Sequence, residues 1–136
     1  MIAEGTCELR LTRYYRASPS EVWAALTDAA SIARWLAPVG DVDLAPNGGF
    51  EVRCDDRGLL IARVRAFEIE RLLELDWTVP GEKPSVVRFE LRADGDGTVL
   101  ALDHRLVGAR VGMRAMGIWE GHLTRLDALL GEREAR

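Results

Sequence analysis

Residues 6–16, Thr-Cys-Glu-Leu-Arg-Leu-Thr-Arg-Tyr-Tyr-Arg, alternate with a period of two, so that Cys7, Leu9 and Leu11 share one face and Glu8, Arg10 and Thr12 the other. That alternation predicts a half-buried strand. The pattern then becomes helical. Ser18 precedes Pro19, and Glu21 follows three residues later, a capping box that opens one short helix. Asp28 can cap a second, which Pro38 ends because proline lacks an N–H and disfavours helical geometry at Ala37. Ile32, Trp35 and Leu36 share one side of that second helix. Turn signals then recur: Pro46-Asn-Gly-Gly49, Asp55-Asp-Arg-Gly58, Pro80-Gly-Glu-Lys-Pro84 and Asp94-Gly-Asp-Gly97. Each can close a hairpin, and connections this short cannot carry a parallel crossover, so the strands between them run antiparallel.

Parity along those strands separates an apolar inner face from a charged outer one. Phe50 and Val52 oppose Glu51 and Arg53. With Arg63 and Arg65 facing out, Leu60, Ala62, Val64 and Ala66 turn inward. Leu73, Leu75 and Trp77 follow, then Val87, Phe89 and Leu91, and the last strand presents Leu100, Leu102, His104 and Leu106. Over residues 112–131, Met116, Trp119, Leu123, Leu126 and Leu130 form a stripe at helical spacing. A sheet with one apolar face needs a cover, and this helix is long enough to supply it. The predicted fold is α+β: about seven antiparallel strands curved around a long C-terminal helix, with two short helices after the first strand.

The 136 residues fit one domain, 1–136, and 48% apolar with 29% charged residues is a globular composition. No apolar run approaches the ~20 residues of a bilayer span. Met-Ile-Ala-Glu-Gly at the start carries neither the charged nor the apolar region of a secretory signal, so a cytoplasmic location is expected. Cys7 and Cys54 are too few for a disulfide framework and lack zinc-ligand spacing. A net charge of −4 with dispersed arginines argues against nucleic acid. No Gly-rich phosphate loop, metal pair or nucleophile motif stands out, so no cofactor, metal or catalytic residue is assigned.

His104 is the sharpest candidate for chemistry. An imidazole on an apolar face could orient a ligand oxygen or act as acid or base; the alternative is a core histidine with its hydrogen bonds met. His122, one turn after Trp119, flanks the same region or stands half exposed. Asp76 and Asp103 fall on the face opposite His104, which weakens an acid–base pairing. Trp35, at the expected cavity mouth, and Trp119 either line a cavity or pack the core, and Met116 adds a deformable wall. The full set expected around a ligand is Trp35, Phe50, Val64, Trp77, Phe89, Leu102, His104, Met116, Trp119 and His122.

Several segments together resemble the Bet v 1-like, or START-like, superfamily, in particular its branch of small bacterial proteins related to the C-terminal domain of the activator of Hsp90 ATPase. They are Ala17-Ser-Pro-Ser-Glu-Val-Trp-Ala-Ala-Leu26, Arg34-Trp-Leu-Ala-Pro38, Gly49-Phe50, Arg71-Leu-Leu-Glu-Leu-Asp-Trp77, Gly97-Thr98, His104 and Trp119-Glu-Gly-His-Leu-Thr-Arg-Leu126. The resemblance implies a helix-grip fold whose cavity, in relatives, holds lipids, sterols, polyketides or hormones. It does not imply one activity, since members include carriers, receptors, cyclases and co-chaperone domains. Three readings follow: binding of a small apolar or amphipathic molecule, a co-chaperone-like protein-interaction module, and a cyclase or isomerase using His104. An isologous homodimer is compatible with each.

Overall fold

In the computed structural model, which describes residues 5–53, 58–108 and 111–134, nine elements follow one another. They are β1 (Thr6–Tyr15), α1 (Pro19–Thr27), α2 (Ala29–Trp35), β2 (Gly49–Arg53), β3 (Leu59–Glu68), β4 (Leu72–Thr78), β5 (Ser85–Asp94), β6 (Gly97–Gly108) and α3 (Gly112–Glu134). Both short helices begin as their caps dictate. Ser18 Oγ accepts from the Glu21 N–H at 3.2 Å, and the Asp28 carboxylate accepts from the Ser31 N–H at 3.1 Å, each satisfying a first-turn donor. Leu36 closes α2 two residues before Pro38.

All strand pairs are antiparallel, in the order β1-β6-β5-β4-β3-β2. Six strands form among the described residues, not about seven. The chain between α2 and β2 meets the sheet edge through isolated bridges, Val39 with Val52 and Asp43 with Gly49, and through the Asn47 N–H, which donates to the Val64 carbonyl at 3.1 Å. Pro38 and Pro46 carry no N–H to extend those bridges into a ladder. The β5–β6 hairpin is as the sequence signals: Asp94 pairs with Gly97 across a two-residue turn led by Gly95 at φ 61°. The Asp55–Gly58 turn signal lies, apart from Gly58, outside the described residues.

Two bulges alter the predicted faces. In β6 an extra residue falls between the pairs Leu9–His104 and Cys7–Val107, with Leu106 in the left-handed region at φ 62°. The parity flips there, so Leu106 is 54% exposed and Val107 is buried, against the expectation that Leu106 faces inward. In β3 an extra residue between Val64–Leu75 and Ala66–Glu74 likewise leaves Ala66 exposed, correcting its inward assignment.

The core forms where the two periodicities meet. Trp119, Leu123, Leu126, Leu129 and Leu130 of α3 are buried against Leu73, Leu75, Val87, Phe89, Leu100 and Leu102. The Tyr15 hydroxyl donates to the Leu123 carbonyl at 3.1 Å, tying β1 to α3, and Arg125 Nε donates to the Trp35 carbonyl at 3.2 Å, tying α2 to it. On the outer face, Glu74 sits among Arg65, Arg88 and Arg105 at 3.5, 3.2 and 3.3 Å, and Asp103 pairs with Arg10 at 2.7 Å. The parity that put Asp103 opposite His104 thus holds.

Candidate functional site

The sheet and α3 do not close on each other along their whole length. Beside the first half of α3, the segment Leu36–Pro38, the ends of β2, β3 and β4, and His104 of β6 surround a hollow of about 510 Å³. Its walls are mainly apolar, with Leu36, Val52, Leu60, Trp77, Val79 and Trp119 facing it. Arg53, Arg114 and Ile118, all exposed, mark its open side, with Glu82 half-buried beside them.

An aromatic cluster forms the inner end. Trp77 and Trp119 lie with ring centres 5.4 Å apart, Trp119 and His122 likewise 5.4 Å apart, and His104 meets both indoles edge to face at 6.3 and 6.0 Å. Trp119 also packs against Phe89, which packs against Trp35. Such contacts add about 0.5–1.5 kcal/mol per pair beyond burial, so this end of the hollow is a stiff wall.

His104 is 5% exposed, and its ring has two bonds. Trp119 Nε1–H can only donate, so His104 Nδ1, 3.0 Å away, accepts and carries no proton. The ring proton therefore sits on Nε2 and donates to Ser85 Oγ at 2.7 Å, and the Ser85 hydroxyl passes its own proton to the Trp77 carbonyl at 3.2 Å. The chain Trp119 → His104 → Ser85 → Trp77 is complete, with every donor matched to an acceptor. Burial pushes the His104 ring down to about 4, keeping it neutral near pH 7. A protonated ring would also turn Nδ1 into a donor facing the Trp119 N–H. Although serine and histidine stand within bonding distance, this is not a nucleophile–base pair: Nε2 donates to the hydroxyl and has no lone pair for its proton.

His122 occupies the wall near Leu36. Burial, and next the positive charge of Arg125 at its Nδ1, push it down to about 4 against the opposing pull of the Trp35 carbonyl. Both histidines of the chain are thus neutral parts of one wall.

Of the ten residues expected around a ligand, Trp77, His104, Trp119 and His122 line the hollow. Trp35, Val64, Phe89 and Leu102 instead fill the middle of the sheet–helix interface, Trp35 with its indole N–H bound to the Ala25 carbonyl at 2.8 Å. Phe50 backs Trp77 edge to face, and Met116 is half-buried against the core. The hollow occupies one end of the interface because these large side chains fill the rest. Residues the sequence reading missed include Leu36, Val79, Arg114, Ala115 and Ile118, which come from a loop, a turn and the flank of α3. Ser85 was also passed over, yet it shares the inward parity of Val87 and Phe89, a signal that was available.

Among the described residues no group of three or more His, Cys, Asp or Glu side chains is placed to hold a metal ion, and no helix is long and apolar enough to cross a membrane. The family described as Activator of Hsp90 ATPase homolog 1-like protein matches residues 16–131. The chain belongs to that family. No curated protein sequence matches it. Among solved structures, this activator-like chain is similar to CalU16 from Micromonospora echinospora, with a TM-score of 0.82 and 27% identity over 92% of this chain and 74% of that one. It is also similar to protein MLL2253 from Mesorhizobium loti, with a TM-score of 0.82 and 25% identity over 93% and 98% of the two chains. The Aha1 dimer from Colwellia psychrerythraea, at 15% identity, TM-score 0.79 and coverage of 91% and 96%, shares the fold. The activator-like family and its neighbours bear out the START-like, Bet v 1-like resemblance.

Proposed function

We propose that this activator-like chain, acting as one domain in the cytoplasm, binds a single small apolar or amphipathic organic molecule between the sheet and the first half of α3. The observation that carries this reading is the hollow itself: about 510 Å³, walled by Leu36, Val52, Leu60, Trp77, Val79 and Trp119. Ligand sites run from roughly 300 to 1,000 Å³ with mostly apolar walls and a few placed polar groups. An apolar guest seated here would bury these walls and gain dispersion contacts with them.

An acid–base reaction at His104 draws no support from this geometry, because both ring nitrogens are occupied within the protein. Nile red, a neutral dye that brightens in apolar surroundings, tests the binding reading. It should bind with one-to-one stoichiometry. Ala115→Phe, which adds a ring to a half-buried α3 residue on the wall, should weaken that binding at least about tenfold, the equivalent of ~1.4 kcal/mol. Absence of dye binding, or binding indifferent to Ala115→Phe, contradicts the reading and shifts weight to a protein-interaction module.

A further inference from the structure

The polar groups around the hollow are an unbalanced set, because nearly all that are free are donors. Of the three indoles clustered there, Trp35 donates to Ala25 and Trp119 to His104. Trp77, 5% exposed and part of the wall, has no acceptor for its indole N–H among the described residues. Its indole nitrogen is not among the atoms sealed off from solvent without a partner, so this N–H is reachable from outside the protein and an oxygen acceptor in the hollow can take it. His104 cannot supply that acceptor, since Nδ1 and Nε2 are both engaged. His122 Nδ1 faces Arg125.

The rim carries the same bias. Arg53 has no carboxylate within ion-pair distance among the described residues, and Arg114 reaches Glu82 only at 3.7 Å. Glu82 is the one carboxylate on the wall among the described residues, so with both imidazoles neutral the lining carries a positive excess despite a net charge of −4 for the chain. Arg114 also lies in the first turn of the long α3 helix, which has no acidic residue there; a cation is disfavoured at that end and an anion favoured.

We infer that the guest is an amphipathic organic acid, its apolar body against Leu60, Trp77 and Trp119, an oxygen accepting from the Trp77 indole N–H, and its anionic head at the guanidinium groups of Arg53 and Arg114. This rests on the hollow being a binding site. The chemistry selects an oxygen acceptor and a negative charge.

The test uses the intact chain and three probes that share one body: 2-naphthylacetate, its methyl ester and 2-ethylnaphthalene. Calorimetry should rank the acid above the ester by at least about tenfold, or ~1.4 kcal/mol, and the ester above the hydrocarbon. Arg53→Gln with Arg114→Gln, both at exposed positions, should erase the acid's advantage over the ester. Trp77→Phe should remove the advantage of the ester over the hydrocarbon. Because that substitution also shrinks a core side chain, a second readout uses the unaltered protein. The Trp77 indole N–H proton resonance should move downfield with the acid or ester and not with the hydrocarbon. Equal affinity for all three probes, or an unmoved indole resonance, overturns the acid while leaving an apolar-ligand site standing. Failure of all three to bind overturns both.

Discussion

Acidification should destabilise this protein in a way that can be traced to His104. In the folded chain the ring is 5% exposed and held down to about 4, whereas in the unfolded chain it returns to about 6.5. Because the folded value is the lower, the unfolded chain takes up the proton first. The contribution is whole above about pH 6.5, falls as pH drops through that value, and stops changing below about pH 4. Each factor of ten is worth 1.36 kcal/mol, so the loss from this ring is about 2 kcal/mol between pH 7 and 5 and about 3 kcal/mol by pH 4. Against a typical domain stability of roughly 5–15 kcal/mol that is a large share. The assay is urea unfolding followed by tryptophan emission at pH 7, 6 and 5, for the wild type and for His104→Gln. The amide can keep an acceptor for Trp119 and a donor for Ser85 but cannot titrate. His122 is present in both proteins, so the difference between their pH dependences isolates His104. The wild type should lose about 2 kcal/mol more than the variant from pH 7 to 5. Equal pH dependences, or a His104 ring resonance titrating near 6.5, would refute the neutral, doubly bonded imidazole.

Three further substitutions probe other joints. Ser85→Ala removes the acceptor for His104 Nε2–H and should cost about 1–3 kcal/mol in urea unfolding at pH 7, the penalty for one orphaned buried donor. Tyr15→Phe deletes the hydroxyl bond from β1 to the Leu123 carbonyl and should lower stability by about 1 kcal/mol. Gly49→Ala should cost more than either, at least about 3 kcal/mol, or prevent folding. Gly49 sits at φ 133°, and an added Cβ would lie 1.9 Å from the Ala62 carbonyl oxygen, so strain and clash act together where β2 joins β3. A Gly49→Ala protein with wild-type stability would contradict that close approach.

The elements that sequence pattern fixes well here are those with a local cause. Ser18 and Asp28 begin their helices, Gly95 leads its hairpin, and the stripe Trp119, Leu123, Leu126 and Leu130 meets the inward strand residues. What parity could not supply was the position of an extra residue. Once Leu106 enters the left-handed region, every later side chain changes face, and a leucine carries no mark of that choice. The turn at Ile69–Arg71 was equally silent, with Glu70 at φ 66° where no glycine, proline or asparagine announces it. The candidate site was legible in half. Strand parity finds Trp77 and His104 and the helical stripe finds Trp119, but whether an inward side chain fills space or borders it depends on the volumes of residues distant in sequence. Trp35 and Phe89 share the inward direction of Trp77 and meet each other in the packed middle. The role of His104 needed distances, because its partners Trp119 and Ser85 lie 15 and 19 residues away along the chain.

Native mass spectrometry of the purified chain, followed by extraction under denaturing conditions, bears most directly on the proposal that the hollow holds a small organic molecule. It should reveal one apolar or amphipathic molecule per chain, lost from the Ala115→Phe variant. A wild-type chain that carries no such molecule and fails to take up Nile red would contradict the proposal.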